Sequence, residues 1–143
     1  MSFLSDLLEL RVVVEPRAAA LAAARGKASD VVAIREAHDA FRRCSAQGSG
    51  WLAAEEVLYS RIAITGGNQI FQQMGSAIRG AISTFRPLVD APHSAWEEMM
   101  RLHSCVVDVI ERRDVKSAEA ASGAVIEFSI SLPNIEAITA AAA

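Results

Sequence analysis

Apolar residues recur every three or four positions through almost the whole of this chain, and strict alternation of apolar and polar residues is nearly absent. A spacing of three to four places side chains on one face of an α-helix, whereas alternation would place them on one face of a strand. The pattern therefore predicts helices and no sheet. The predicted helices span 5–25, 29–44, 51–66, 69–85, 94–113 and a segment that follows Asp114.

Proline and short polar residues mark where these helices are interrupted or begin. Pro16 is predicted to bend or break the first helix locally, and Pro133 to interrupt the last one. Short polar side chains accept hydrogen bonds from the free N–H groups of a first helical turn. The predicted caps are Ser29 or Asp30 for the second helix, Asn68 for the fourth, Ser94 with Glu97 for the fifth, and Asp114 for the last.

Six or seven helices joined by short connections predict an all-α protein, an antiparallel helical bundle. The 143 residues suit one domain with one core, and no change of composition divides 1–143. The alanine-rich tail at 134–143 is predicted to be helical or frayed. Because 52% of the residues are hydrophobic, which is high for a soluble monomer, a buried subunit interface is also indicated.

The net charge of the chain limits which classes of partner it can be expected to bind. A formal charge of −3 without any run of Lys and Arg disfavours nucleic acid and anionic membranes as direct partners. The N-terminus lacks the basic start of a signal peptide, and no apolar stretch is long enough to span a bilayer. Cys44 and Cys105 stand in no metal or redox spacing and are interpreted as reduced thiols. We therefore expect a soluble, cytoplasmic protein.

Four polar residues lie on apolar stripes and are predicted to point inward: Arg11, Glu55, Tyr59 and His103. Burying an unpaired charge costs several kcal/mol, so Arg11 and Glu55 need partners. One interpretation pairs Arg11 with Glu55 across the bundle and leaves His103 as a satisfied core residue. The other places all four groups around an internal cavity, where the planar fork of an arginine would suit a small anionic ligand.

The remaining polar signals are weaker. His38 and His93 have polar neighbours and are predicted to lie at the surface. The segment ITGGNQ lacks the strand that precedes a phosphate-binding loop and is interpreted as an interhelical turn. There is no nucleophile elbow and no HExxH motif, so an enzyme is not expected.

Three segments of the sequence resemble segments of a known protein family, and they occur in the same order along the chain. They are LLELRVVVEPRAAALAA, LYSRIAITGGN and HSCVVDVIERRDVKSAEAA, within residues 7–126. The chain resembles the ligand-sensing C-terminal domain (FCD) of FadR-type GntR transcription regulators. The resemblance implies an all-helical bundle with an internal cavity, which binds small metabolites, commonly organic acids or sugar acids, and forms a homodimer. It also implies a winged helix-turn-helix that contacts DNA in the full regulator; this chain contains nothing similar and would be a fragment or a truncated relative.

Many members of that family hold a divalent metal, such as zinc, with an Asp and three His. Aligned on the shared motifs, these positions fall on Glu55, Tyr59, His103 and Val125. One histidine of three therefore remains, and a glutamate replaces the aspartate. A carboxylate and one imidazole are too few ligands for a tight transition-metal site. We predict that the metal is absent or weak and that no cofactor is bound.

Without a metal, an anionic ligand must be held by direct contacts. The expected contacts are Arg11 as the principal cation, with Glu55, Tyr59 and His103 around the same cavity. The resemblance adds Arg79, which matches a frequent arginine of the family.

The leading hypothesis is thus an effector-binding and dimerisation domain of a GntR/FadR-type regulator, which senses a small carboxylate-bearing metabolite. Two alternatives remain open at this point. One is a structural dimerisation module whose pocket is degenerate, and the other is a helical metalloenzyme.

Overall fold

The computed structural model describes residues 3–85 and 93–132, and within them it contains six α-helices and no strand. The all-α prediction is confirmed. The predictions for Pro133 and for the tail at 134–143 concern residues outside the described part of the chain. The helices are α1 (Phe3–Arg25), α2 (Ala28–Gln47), α3 (Trp51–Gly66), α4 (Gln69–Phe85), α5 (His93–Glu111) and α6 (Val115–Ile130).

Two of the predicted caps are confirmed. The Asn68 side chain accepts hydrogen bonds from the backbone N–H groups of Ile70 and Phe71, at 3.0 and 3.1 Å. The Asp114 side chain accepts one from the N–H of Ser117 at 3.1 Å. Each cap satisfies donors that the first helical turn cannot use. The start of α5 borders undescribed residues, so the capping box at Ser94 remains a prediction.

The start of α2 differs from the prediction. Its N-cap is Lys27, and Asp30 lies in the first turn instead of capping. The Asp30 carboxylate accepts a hydrogen bond from the backbone N–H of Lys27 at 2.9 Å. The third residue of the helix thus satisfies the backbone donor of the N-cap residue. Of the two outcomes predicted for Pro16, a break is wrong, because α1 continues through Pro16 to Arg25, and a bend stays a prediction.

Helix α1 occupies the middle of the bundle and contacts α3, α4, α5 and α6, while α2 packs on α3 and α5. Its second half is rich in alanine, and residues 18–23 are buried throughout. These small side chains allow α3 to come close. A Cβ built on Gly66 would lie 3.1 Å from the Leu21 Cβ and 3.3 Å from the Ala18 carbonyl oxygen, so even a methyl group there would be a tight contact between the two helices.

The apolar side chains form two clusters. The larger one joins α1, α2, α3, α5 and α6 around Phe41, Leu58 and Ile110. The smaller one joins the first half of α1 to α4 around Leu7 and Ile78. Arg11 lies along α1 between the residues of the smaller cluster, which is why its charged side chain is carried into the interior.

His38 corrects a prediction, because its side chain is 0% exposed where the sequence analysis expected a surface residue. It shares the buried face of α2 with Ile34 and Phe41, four residues before it and three after it. That spacing outweighs the polar residues beside it in sequence. Within the described part of the chain, neither ring nitrogen has a hydrogen-bond partner.

Several groups act on the ionisation of His38. Burial lowers its pKa, and the guanidinium groups of Arg35 and Arg42 lower it further. The carboxylates of Asp39, 3.8 Å from Nδ1, and Asp108 oppose this effect without reversing it. The folded protein therefore holds His38 in its neutral form more strongly than the unfolded chain does.

This pKa predicts a loss of stability on acidification. Below about pH 6.5 the unfolded chain binds a proton at His38 that the folded protein excludes, so unfolding becomes easier by up to about 1.4 kcal/mol per pH unit. We expect His38→Leu, which cannot ionise, to remove that part of the dependence. Urea unfolding of both proteins at pH 7.5 and 5.5 measures it. Equal losses of stability in the two proteins would contradict the prediction.

No helix of the described residues is long and apolar enough to cross a membrane. Cys44 and Cys105 are both free thiols of intermediate exposure.

Candidate ligand-binding site

A cavity of about 330 Å³ lies between α1, α3, α4 and α5, with one contribution from α6. Its volume falls in the range of small-molecule sites. Most of the wall is apolar, with Val14, Leu58, Phe71 and Val107 among its residues. The charged, aromatic and hydroxyl groups on the wall include Glu15, Glu56, Tyr59, Arg79, His103 and Ser122.

The predicted site residues divide into two groups. Tyr59, Arg79 and His103 line the cavity. Arg11 and Glu55 are both 3% exposed, but neither is among the described residues that line it. The expectation that Arg11 is the principal cation facing the ligand is therefore not supported by its position. The guanidinium on the wall belongs to Arg79.

Glu15 links the two arginines, and sequence reasoning missed it. Its carboxylate accepts hydrogen bonds from Arg11 Nε at 3.2 Å and from Arg11 Nη2 at 3.4 Å. Arg79 Nη2 donates to the same carboxylate from α4. Glu15 is 6% exposed and Arg79 is 7% exposed, so the ion pairs are largely desolvated. The available signal was the spacing of four between Arg11 and Glu15, which places both on one face of α1.

Arg11 was suggested to pair with Glu55, but its described hydrogen bonds are to Glu15. The described hydrogen bonds of Arg11 go to Glu15 of its own helix, and Glu55 acts on Arg11 through its charge. Burial lowers the pKa of Arg11, while Tyr59 and Glu55 oppose that shift. An arginine remains charged in proteins, so Arg11 is a buried cation whose stability depends on the carboxylates of Glu15 and Glu55.

Tyr59 and His103 form a second polar unit on the wall. His103 Nδ1 lies 2.8 Å from the carbonyl oxygen of Met99, which can only accept, so Nδ1 carries the hydrogen. In the neutral ring Nε2 is then an acceptor, and the Tyr59 hydroxyl, 3.1 Å away, donates to it. Glu55 Oε1 lies 3.6 Å from the same Nε2. The rings of His103 and Phe41 pack edge to face, with their centroids 5.1 Å apart.

Arg79 connects these two units. Its guanidinium carbon lies 4.0 Å from the centroid of the Tyr59 ring, a cation–π contact, while Nη2 donates to Glu15. Two contacts from different helices thus orient the guanidinium on the cavity wall. An arginine held in this way is prepared to bind a carboxylate at little conformational cost.

The residues at the family's metal positions do not fit a transition metal. Glu55, Tyr59 and His103 lie together, but His103 Nε2 is already hydrogen-bonded to the Tyr59 hydroxyl. Val125 is buried in the apolar core and offers no ligand atom. Across residues 3–85 and 93–132 there is no group of three His, Cys, Asp or Glu that could hold a metal ion. The absence of a metal and of a cofactor remains a prediction.

The six helices of the described residues, five of which line a cavity with an ion-paired polar wall, define the class of this protein as an all-α bundle with a site of small-molecule size. Residues 6–128 match the family model described as the FCD domain. The chain belongs to the FCD family, as its sequence motifs indicated.

A solved structure supports the fold. The chain is similar to Streptococcus agalactiae GntR with a TM-score of 0.79 and 20% sequence identity, over 88% of this chain. The match covers 57% of that protein, so the chain spans little more than half of its length. No curated protein matches the sequence.

Proposed function

We propose that this chain is the effector-binding and dimerisation domain of a GntR/FadR-type transcription regulator, and that its effector is a small metabolite carrying a carboxylate. Membership of the FCD family supports the regulator domain. The observation that carries the ligand assignment is the Arg79 guanidinium, which lies on the wall of a mostly apolar cavity. Its planar donors match a carboxylate, and Tyr59 orients it from one side.

The proposed output of the domain is a change in DNA binding by an attached winged helix-turn-helix. The effector would favour one packing of the helices over another, and the DNA-binding domains would respond to the change. This part of the proposal rests on the family and on the greater length of the similar GntR structure.

A homodimer is part of the same proposal. Several large apolar side chains of α1 and α4 are exposed in the single chain, with Val13 68% and Ile70 62% accessible. Exposed apolar surface of this kind favours association between subunits. The same observation supports the alternative, a structural dimerisation module with a degenerate pocket, because it does not depend on a ligand.

A thermal-shift screen of small organic acids separates the two. A ligand present at 100 times its Kd adds about 2.7 kcal/mol to stability. For a domain of this size that corresponds to a rise in Tm of about 5–10 °C. We expect at least one monocarboxylate, hydroxy acid or amino acid to produce such a rise. A screen in which no compound at 10 mM raises Tm, with dimerisation intact, would favour the structural module.

A further inference from the structure

We infer that the effector is a zwitterion, an α-amino acid with an apolar side chain, and not a simple organic acid or a polycarboxylate. The inference rests on the proposed function, since it specifies the ligand of the same cavity. It comes from the balance of charge on the cavity wall and from the ion pair that a ligand must open.

The wall carries more acid than base. Of the described residues that line the cavity, Glu15 and Glu56 are acidic and Arg79 is basic. The other titratable groups on the wall, Tyr59 and His103, are hydrogen-bonded to each other. A polycarboxylate would therefore bring two or more negative charges to a wall with one guanidinium, which is unfavourable in a poorly solvated site.

The single guanidinium is already paired with a carboxylate. Arg79 donates to Glu15, and both side chains lie on the wall and are at least nine-tenths buried. A ligand carboxylate that binds Arg79 must compete with Glu15 for it. Arg11 would continue to hold Glu15 from behind, so the pair can open without leaving Glu15 alone.

A zwitterion can replace both partners of the Arg79–Glu15 ion pair, whereas an anion can replace only one. Its carboxylate would replace Glu15 as a partner of Arg79, and its ammonium group would replace Arg79 as a partner of Glu15. The net charge of the site then stays equal to that in the ligand-free protein. A simple carboxylate would instead add one negative charge to a buried group in which Arg11 and Arg79 already balance Glu15 and Glu55, at a cost that grows with burial.

The remaining wall suggests the rest of the ligand. Val14, Leu58, Ile62, Phe71, Val106 and Val107 line the same cavity. These side chains match an aliphatic or aromatic group attached to the polar head. A volume of about 330 Å³ suits an amino acid with such a side chain.

Matched pairs of compounds test the inference on the unchanged protein. L-Leucine, L-norleucine and L-phenylalanine are compared by calorimetric titration with their deaminated forms, 4-methylpentanoate, hexanoate and 3-phenylpropanoate. We expect at least one amino acid to bind about tenfold or more tightly than its partner, because an ammonium–carboxylate hydrogen bond is gained in a buried site. Equal or tighter binding of the deaminated acids would overturn the zwitterion and leave the carboxylate-sensing function standing.

If none of the six compounds binds at millimolar concentration, the zwitterion inference is wrong. The wider acid screen then decides the proposed function by itself.

Two isosteric variants assign the preference for the amino acid to a residue. Glu15→Gln is expected to reduce the advantage of the amino acid to about twofold or less, while Glu9→Gln, at an exposed position of the same helix that is not among the lining residues, keeps it. Urea unfolding checks that both variants are folded, and an advantage that survives Glu15→Gln would exclude Glu15 as the ammonium partner.

Discussion

Replacing Arg11 with alanine is expected to lower the free energy of unfolding by about 3–5 kcal/mol in the absence of any ligand. Arg11 is 3% exposed and makes two hydrogen bonds to Glu15. Its removal leaves the Glu15 carboxylate buried with Arg79 as its remaining described partner, and it takes a cation away from Glu55. For a domain of this size the change corresponds to a fall in Tm of about 10 °C or more, measurable by calorimetry.

Arg17 gives a matched control on the same helix, because it is exposed. Arg17→Ala should change stability by less than about 0.5 kcal/mol. If Arg11→Ala proves as stable as Arg17→Ala, the paired carboxylate does not need Arg11, and the role expected from the sequence, direct contact with the ligand, becomes the better account. The comparison therefore distinguishes a buried structural cation from a ligand-binding one.

Replacing Arg79 with methionine is expected to weaken binding of a carboxylate ligand about 100-fold. Truncating one side of a buried charged contact costs about 2–5 kcal/mol, and Arg79 is the guanidinium among the described residues of the wall. Methionine keeps most of the apolar length of the side chain but removes the guanidinium that packs on Tyr59. Calorimetric titration with the best compound of the screen measures the change.

The control for Arg79→Met is Arg61→Met, an exposed position of α3 that is not among the lining residues. Its affinity should stay within about twofold of the unchanged protein. Urea unfolding is measured beside the affinity, since Glu15 retains Arg11 in the Arg79 variant and the fold should persist. Unchanged affinity in a folded Arg79→Met protein would show that the ligand carboxylate lies elsewhere.

The predictions for Arg11 and Arg79 divide the polar groups of the site into an inner layer behind the cavity wall and a second layer on the wall. Arg11 and Glu55 form an inner layer that is buried but not on the wall, while Glu15 belongs to both layers and connects them to Arg79. A change in the inner layer should therefore appear as a change in stability. A change of Arg79 on the wall should lower the affinity for the ligand in addition to any loss of stability from its buried ion pair with Glu15.

Helical periodicity alone predicted most of the fold. Because an α-helix repeats every 3.6 residues, the sequence identified the helices, and the local chemistry of Asn68 and Asp114 identified two of their starts. It also identified Arg11, Glu55 and His103 as inward-pointing polar groups, and all three are buried. These properties depend on neighbours within about one turn, which is the range over which sequence spacing carries information.

The tertiary structure decided which polar groups meet and which of them reach the cavity. Spacing predicted that Arg11 points inward, and the family resemblance added Arg79. The lengths of their side chains and the positions of four helices determine that Arg79 lies on the wall and Arg11 behind it. The same holds for Glu15, which is joined to Arg79 across 64 residues of sequence. A contact between helices depends on their crossing and separation, which no single helix encodes.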